Sequence, residues 1–174
     1  MTALERLIQG NKTYVDENPQ GDVVCFQRKE LVEKGQHPYA VIVACSDSRV
    51  PPEIIFSCGL GELFVIRVAG NVIGEDELAS ISYAMNHLHA ELVLVLGHTH
   101  CGAVGATLKG CDEAELKPLV DKIAEAICDE KDEVAASAKN AKFGCELIKR
   151  RLGLSENECM AALYDIESGR VELL

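Results

Sequence analysis

Two short stretches of this 174-residue chain gather the side chains that soft divalent metals prefer. Cys45 opens the run Cys45-Ser46-Asp47-Ser48-Arg49, and His98 and Cys101 fall within Gly97-His98-Thr99-His100-Cys101-Gly102. Thiolate and imidazole are ligands zinc favours, and a catalytic zinc takes three protein ligands and keeps a fourth position for water. Zinc lowers the pKa of that water to about 7, which gives a hydroxide nucleophile at neutral pH. Asp47 and Arg49 alternate with Cys45 along an extended segment, so the three can share a face. The guanidinium would keep the carboxylate ionised and oriented. The carboxylate would then accept a hydrogen bond from the metal's hydroxide, or ligate the metal itself. The bland alternative is two buried thiols, a core histidine and a structural ion pair. Three coincident ligands beside an Asp–Arg pair are hard to obtain by packing alone.

Both clusters follow apolar runs of strand length. Residues 39–44, 63–68 and 92–96 are nearly continuous in β-branched and aliphatic side chains, as expected of strands buried on both faces. Leu78, Ile81, Met85 and Leu88 between the second and third runs follow a helical period, which makes a βαβ unit. Ligands of open α/β sheets bind beyond the carboxyl ends of the strands, where both polar clusters fall. Upstream, Thr2 and Glu5 have capping-box spacing and Leu4, Leu7, Ile8 and Val15 lie near one face, which predicts a helix over 2–16. Asn18-Pro19-Gln20-Gly21 breaks it, and a second helix is expected over about 22–34, ending at Gly35. Downstream, helices are expected over about 113–129 and 132–151, then a strand over 161–166 and a returning strand over 170–173.

Composition narrows the function classes. Hydrophobic residues make up 48% and charged residues 26%, ordinary values for a globular domain. The net charge of −11 disfavours nucleic acid and anionic membranes as partners. The apolar runs fall well short of the ~20 residues of a membrane helix. No basic segment followed by an apolar stretch opens the chain, so no signal peptide is expected and the expected location is cytoplasmic. In that compartment eight cysteines point to metal ligands and reduced thiols rather than disulfides. Cys25, Cys58, Cys111, Cys128, Cys145 and Cys159 lack metal spacing and read as small buried hydrophobes or inert thiols. His87 and His89 read as solvated, and the acidic run 128–133 as a loop and helix start.

The two clusters resemble the signature motifs of β-class carbonic anhydrases. The segment Gly61-Glu62-Leu63-Phe64-Val65-Ile66-Arg67-Val68-Ala69-Gly70-Asn71 and the closing Leu163-Tyr164-Asp165-Ile166-Glu167-Ser168-Gly169 are similar to that family as well. The resemblance is close over most of 36–108 and looser elsewhere. It implies that one Zn2+ is held by Cys45, His98 and Cys101, and that Asp47 and Arg49 form a catalytic dyad. It also implies substrate contacts from Gln36, Phe64, Tyr83 and Gly102, in a pocket built across a dimer interface. The implied fold is α/β: four parallel strands plus a C-terminal antiparallel strand, flanked by helices in a Rossmann-like single domain. Residues 1–35 would form a helical arm that packs on a partner subunit, and 36–174 the zinc-binding core. The implied reaction is reversible hydration of CO2 to bicarbonate and a proton, in a homodimer or dimer-based oligomer. Two further outcomes remain open on the same site: hydrolysis of carbonyl sulfide or carbon disulfide, and non-catalytic zinc or bicarbonate binding. The chain departs from the family in reading Arg67-Val68 where many members have Arg-Asn, and in having no tryptophan. His100 reads as an exposed loop residue rather than a proton shuttle.

Overall fold

Continuous apolar runs need cover on both faces, and the fold supplies it. The structure is a computed structural model that describes residues 1–17 and 27–174. Its centre is one sheet of β1 (Ala40–Ala44), β2 (Leu63–Arg67), β3 (Leu92–His98), β4 (Cys159–Tyr164) and β5 (Val171–Leu173). The strand order is β2-β1-β3-β4-β5. β1, β2, β3 and β4 run parallel, and β5 pairs antiparallel with β4. The expected α/β class and the four-plus-one sheet are therefore what the chain forms.

Helices cover both faces: α1 (Ala3–Glu17), α2 (Gln27–Lys34), α3 (Pro52–Ile55), α4 (Glu75–His87), α5 (Gly102–Leu108), α6 (Lys117–Ile127) and α7 (Glu133–Leu152). A 3-10 turn spans Ala69–Asn71. Strand side chains alternate between faces. Ile42, Ala44, Leu94 and Leu96 meet Leu7 of α1 and Ile55 of α3. Val41, Val43, Val93 and Val95 meet Ile81 of α4 and Ile148 of α7. Each fully buried aliphatic side chain contributes roughly 1.5–3 kcal/mol of transfer free energy. A third cluster of Val72, Val104, Ile123, Ile127 and Ala136 packs against Cys45 and Cys101 beyond the strand ends.

The α1 capping box forms as its spacing predicts: Glu5 N donates to Thr2 Oγ1 (3.2 Å) and Thr2 N to Glu5 Oε2 (2.9 Å). The break expected at 18–21, residues 22–26 of the second helix, and Cys25 lie outside the described residues. α2 ends before Gly35, whose φ of 79° suits a helix stop. α7 is as expected, with Asp132 accepting from Ala135 N (2.8 Å) at its start.

Two expected elements shift, and one helix was unforeseen. The helix expected over about 113–129 is shorter, Lys117–Ile127. The closing strand occupies Cys159–Tyr164 rather than 161–166, because Asp165 accepts from Glu167 N (3.2 Å) and starts the turn into β5. α5 had no visible signal, since two of its seven residues are glycine, a poor helix former.

The strand order creates a switch point. From β1 the chain moves outward to β2, then crosses back to β3 on the other side of β1 and on to β4. The crevice beyond the carboxyl ends of β1 and β3 is where such sheets bind ligands. Gly97 lets α7 approach β3 just before that crevice: a Cβ there would lie 3.0 Å from the Ser137 carbonyl oxygen and 3.2 Å from Ala141 Cβ. Gly97→Ala is expected to destabilise the fold by about 1–3 kcal/mol, the usual cost of overpacking, measured by urea unfolding.

Candidate metal centre

β1 ends at Ala44, so Cys45 is the first residue to leave the sheet, and β3 ends on His98 itself. The tight turn through Thr99 and His100, where His100 takes φ 56°, brings Cys101 back as the residue preceding α5. One ligand atom from each of Cys45, His98 and Cys101 lies within 4.8 Å of the others, and all three residues are buried. Among the described residues this is the one group of His, Cys, Asp or Glu side chains placed to hold a metal.

The hydrogen bonding singles out the free donor. His98 Nδ1 is 2.9 Å from the Thr99 carbonyl oxygen, which fixes it as the protonated nitrogen. His98 Nε2 is buried with no hydrogen-bond partner. An orphaned buried imidazole nitrogen costs roughly 1–3 kcal/mol unless something occupies it. Facing two sulfurs, it completes a donor set of two thiolates and one imidazole that fits zinc.

The two thiols act on each other: the neighbouring Cys101 pushes the Cys45 thiol strongly down, and Cys45 pushes the Cys101 thiol up. Burial opposes the ionisation of both. Gly70 N adds a hydrogen bond to Cys45 Sγ at 3.2 Å. Thiolates are the form that binds metal, so the lowered Cys45 thiol favours metal loading.

Asp47 and Arg49 do share a face, as a bidentate pair: Arg49 Nε to Asp47 Oδ1 (2.9 Å) and Nη2 to Oδ2 (2.7 Å). Arg49 N also donates to Oδ1 (2.9 Å). These bonds hold the Asp47 carboxyl down to about 2 against a smaller opposing effect of burial. Arg49 Nη2 reaches the His100 carbonyl oxygen at 3.1 Å and so links the two motifs.

Arg67 is the contributor that the residue patterns did not reveal. It ends β2 and lies in register with Ala44. Its Nε donates to the Cys45 carbonyl oxygen (3.0 Å) and its Nη2 to that of Asp47. A cation closing an otherwise apolar strand beside the first motif was the available signal. Thr99 is a second: its Oγ1 bonds Asp165 Oδ1 (3.3 Å) and accepts from Ile166 N (3.1 Å), tying the His98 turn to the β4–β5 turn.

Of the expected substrate residues, Gly102 adjoins this centre within one chain, whereas Gln36, Phe64 and Tyr83 stand away from it. Gln36 is exposed and precedes β1, whereas Cys45 follows it, so the two stand at opposite strand ends. Phe64 is in register with Val41, and its ring centroid lies 6.3 Å from that of Tyr83, which is 49% exposed. Gly102 opens α5 beside Cys101, and a Cβ there would meet nothing within 4 Å. His100 is exposed, with Nε2 3.5 Å from Glu167 Oε1. His87 and His89 are exposed, Cys58 is buried and Cys128 is exposed.

Comparison with known proteins places this arrangement. The family model described as carbonic anhydrase matches residues 40–152. A carbonic anhydrase of Mycolicibacterium smegmatis is 34% identical over 190 residues, covering 99% of this chain and 92% of that protein. The crystal structure of the β-carbonic anhydrase CafA of Aspergillus fumigatus superposes with a TM-score of 0.72 at 26% identity, covering 99% of this chain and 88% of that one. One of the two tetrameric β-carbonic anhydrases of Sordaria macrospora superposes at 0.71 with 24% identity, covering 95% of this chain and 90% of that one, a likeness of fold.

The donor geometry predicts one tightly bound zinc ion per chain. Cys101→Ser is expected to weaken binding by about 100-fold or more, beyond the ~10–100-fold typical of losing a neighbouring hydrogen bond. Competition with a chromogenic chelator measures it, and unchanged affinity would place the ion elsewhere.

Proposed function

This chain belongs to the β-class carbonic anhydrase family, and on that premise we propose that it catalyses reversible hydration of CO2 to bicarbonate and a proton at the Cys45–His98–Cys101 centre. The observation that carries the reading is the orphaned His98 Nε2 facing two thiols, beside an aspartate locked by arginine. A structural zinc site needs no such pair.

Cys45, His98 and Cys101 would hold Zn2+, which supplies the Lewis acidity that makes water nucleophilic near neutral pH. The protein's own groups then divide the remaining work. Asp47 Oδ1 takes two bonds from Arg49 and Oδ2 takes one, so Oδ2 keeps a lone pair for the attacking water. A carboxyl held so low is a weak base at neutral pH, so Asp47 acts here as a fixed acceptor that aims the nucleophile. Arg49 keeps that acceptor ionised and oriented. Arg67 fixes the backbone of Cys45 and Asp47, which holds thiol and carboxylate in one frame. Val72 and Val104 pack against Cys45 and Cys101 and shield these donors from bulk water. The product proton leaves to solvent buffer.

The functional unit is proposed to be a dimer or dimer-based oligomer. Gln36, the half-buried Phe64 and the exposed Tyr83 would then meet the site of a second copy, since one chain does not bring them to its own.

Stopped-flow CO2 hydration with a pH indicator tests the reaction. Zinc-loaded protein is expected to turn over, and Cys45→Ser to abolish it. Asp47→Asn is expected to lower kcat by about 100-fold, the scale of a misaimed nucleophile, while zinc content stays whole. Stoichiometric zinc without turnover in the parent chain would refute the assignment.

A further inference from the structure

Away from the metal centre, two thiols that look inert in the sequence sit in contact. Cys145 on α7 and Cys159, the first residue of β4, place their sulfurs 3.4 Å apart. Both residues are buried, at 3% and 0% exposure. They nevertheless line one side of a surface cavity of about 420 Å3, with Lys142, Lys149 and Met160 around it. A disulfide brings its sulfurs to about 2.05 Å, and these two are already in van der Waals contact. We propose that Cys145 and Cys159 form an oxidisable dithiol, a modification site separate from the metal centre, which takes hydrogen peroxide through that cavity.

The surroundings set the order of events. Lys149 is ion-paired with Glu146 (2.9 Å) and with Glu156, which keeps its ammonium at the rim of the cavity. The Cys145 thiol is pushed down, chiefly by the hydrogen bond from Cys159 and with help from the Lys149 charge, against the cost of burial. Cys159 is pushed up by the same pairing. Cys159 Sγ also donates to the Cys145 carbonyl oxygen (3.7 Å), which keeps the proton on Cys159 and leaves Cys145 to attack, with Cys159 as the resolving thiol. The Cys145 sulfur attacks one peroxide oxygen, the O–O bond breaks, and Cys145 becomes a sulfenic acid as water is released. The Cys159 sulfur then attacks the Cys145 sulfur. The S–O bond breaks, the S–S bond forms, and a second water leaves with the Cys159 proton. Two thiols are oxidised by two electrons, and one peroxide is reduced to two waters.

The bond would clamp the amino end of β4 to α7. Cys159 is in register with Val93, whereas His98 is in register with Tyr164 at the other end of the pairing. The clamp thus lies at the far end of β3 from the metal centre, and oxidation should stabilise the fold without displacing zinc.

The test treats the zinc-loaded full chain with dilute hydrogen peroxide, alkylates free thiols under denaturing conditions, and maps unreduced peptides by mass spectrometry. A Cys145–Cys159 linked peptide that dithiothreitol releases, with zinc retained and the thermal midpoint raised by several degrees, is the expected result. Cys145→Ser should leave Cys159 fully alkylated after the same treatment. Recovery of both residues as free thiols, over-oxidation of Cys145 without a link, or pairing of either with Cys45 or Cys101 would overturn the proposal. The wild-type peptide map decides the matter even if the serine variant fails to fold. It does not depend on CO2 hydration, so the two readings stand or fall apart.

Discussion

Two adjacent parallel strands whose connections leave in opposite directions open a crevice at their carboxyl ends, and everything else in this fold is arranged around it. β1 delivers Cys45 there and β3 delivers His98, because the 40–44 and 92–96 segments are in register over five pairs. The turn after β3 then returns Cys101 to the same space. Three soft donors are thereby forced together, and burial leaves the imidazole Nε2 without any protein partner. Burying an unpaired polar group is costly, so an arrangement of this kind persists where an ion repays it.

Placing thiolates and a carboxylate in one crevice also concentrates negative charge in an already acidic protein. Two arginines answer that problem in different ways. Arg49 binds the side chain of Asp47 through a planar fork, which lysine has no means to copy. Arg67 instead binds main-chain carbonyls of Cys45 and Asp47, so it sets the path of the motif rather than its charge state. The Arg49 bond to the His100 carbonyl oxygen joins the motifs, which arrive from different strands. The distant Cys145–Cys159 contact belongs to a separate part of the fold, the opposite end of the β3–β4 pairing.

Much of this was legible in the residues. Continuous β-branched runs marked β1, β2 and β3, and the Thr2–Glu5 spacing marked a capping box that forms as drawn. Cys45, His98 and Cys101 were readable because metal ligation demands particular side chains at strand ends. Arg67, Thr99 and Gly70 were not, because they act through backbone groups and one arginine looks like another until its partner is known. The contact between Cys145 and Cys159 was hidden for another reason. They lie on different elements, and only the packing of α7 on β4 brings their sulfurs together. α5 escaped because its glycines suppress a helical signal that tertiary packing supplies. Gln36 and Tyr83 followed from family resemblance alone, and one chain leaves both exposed.

X-ray absorption at the zinc edge of the loaded protein tests the central claim most directly, because it reads the donor set itself. Two sulfur scatterers at about 2.3 Å and a first shell completed by nitrogen or oxygen near 2.0–2.1 Å, with imidazole backscattering, are expected. A shell of four sulfurs, or of nitrogen and oxygen alone, would contradict it.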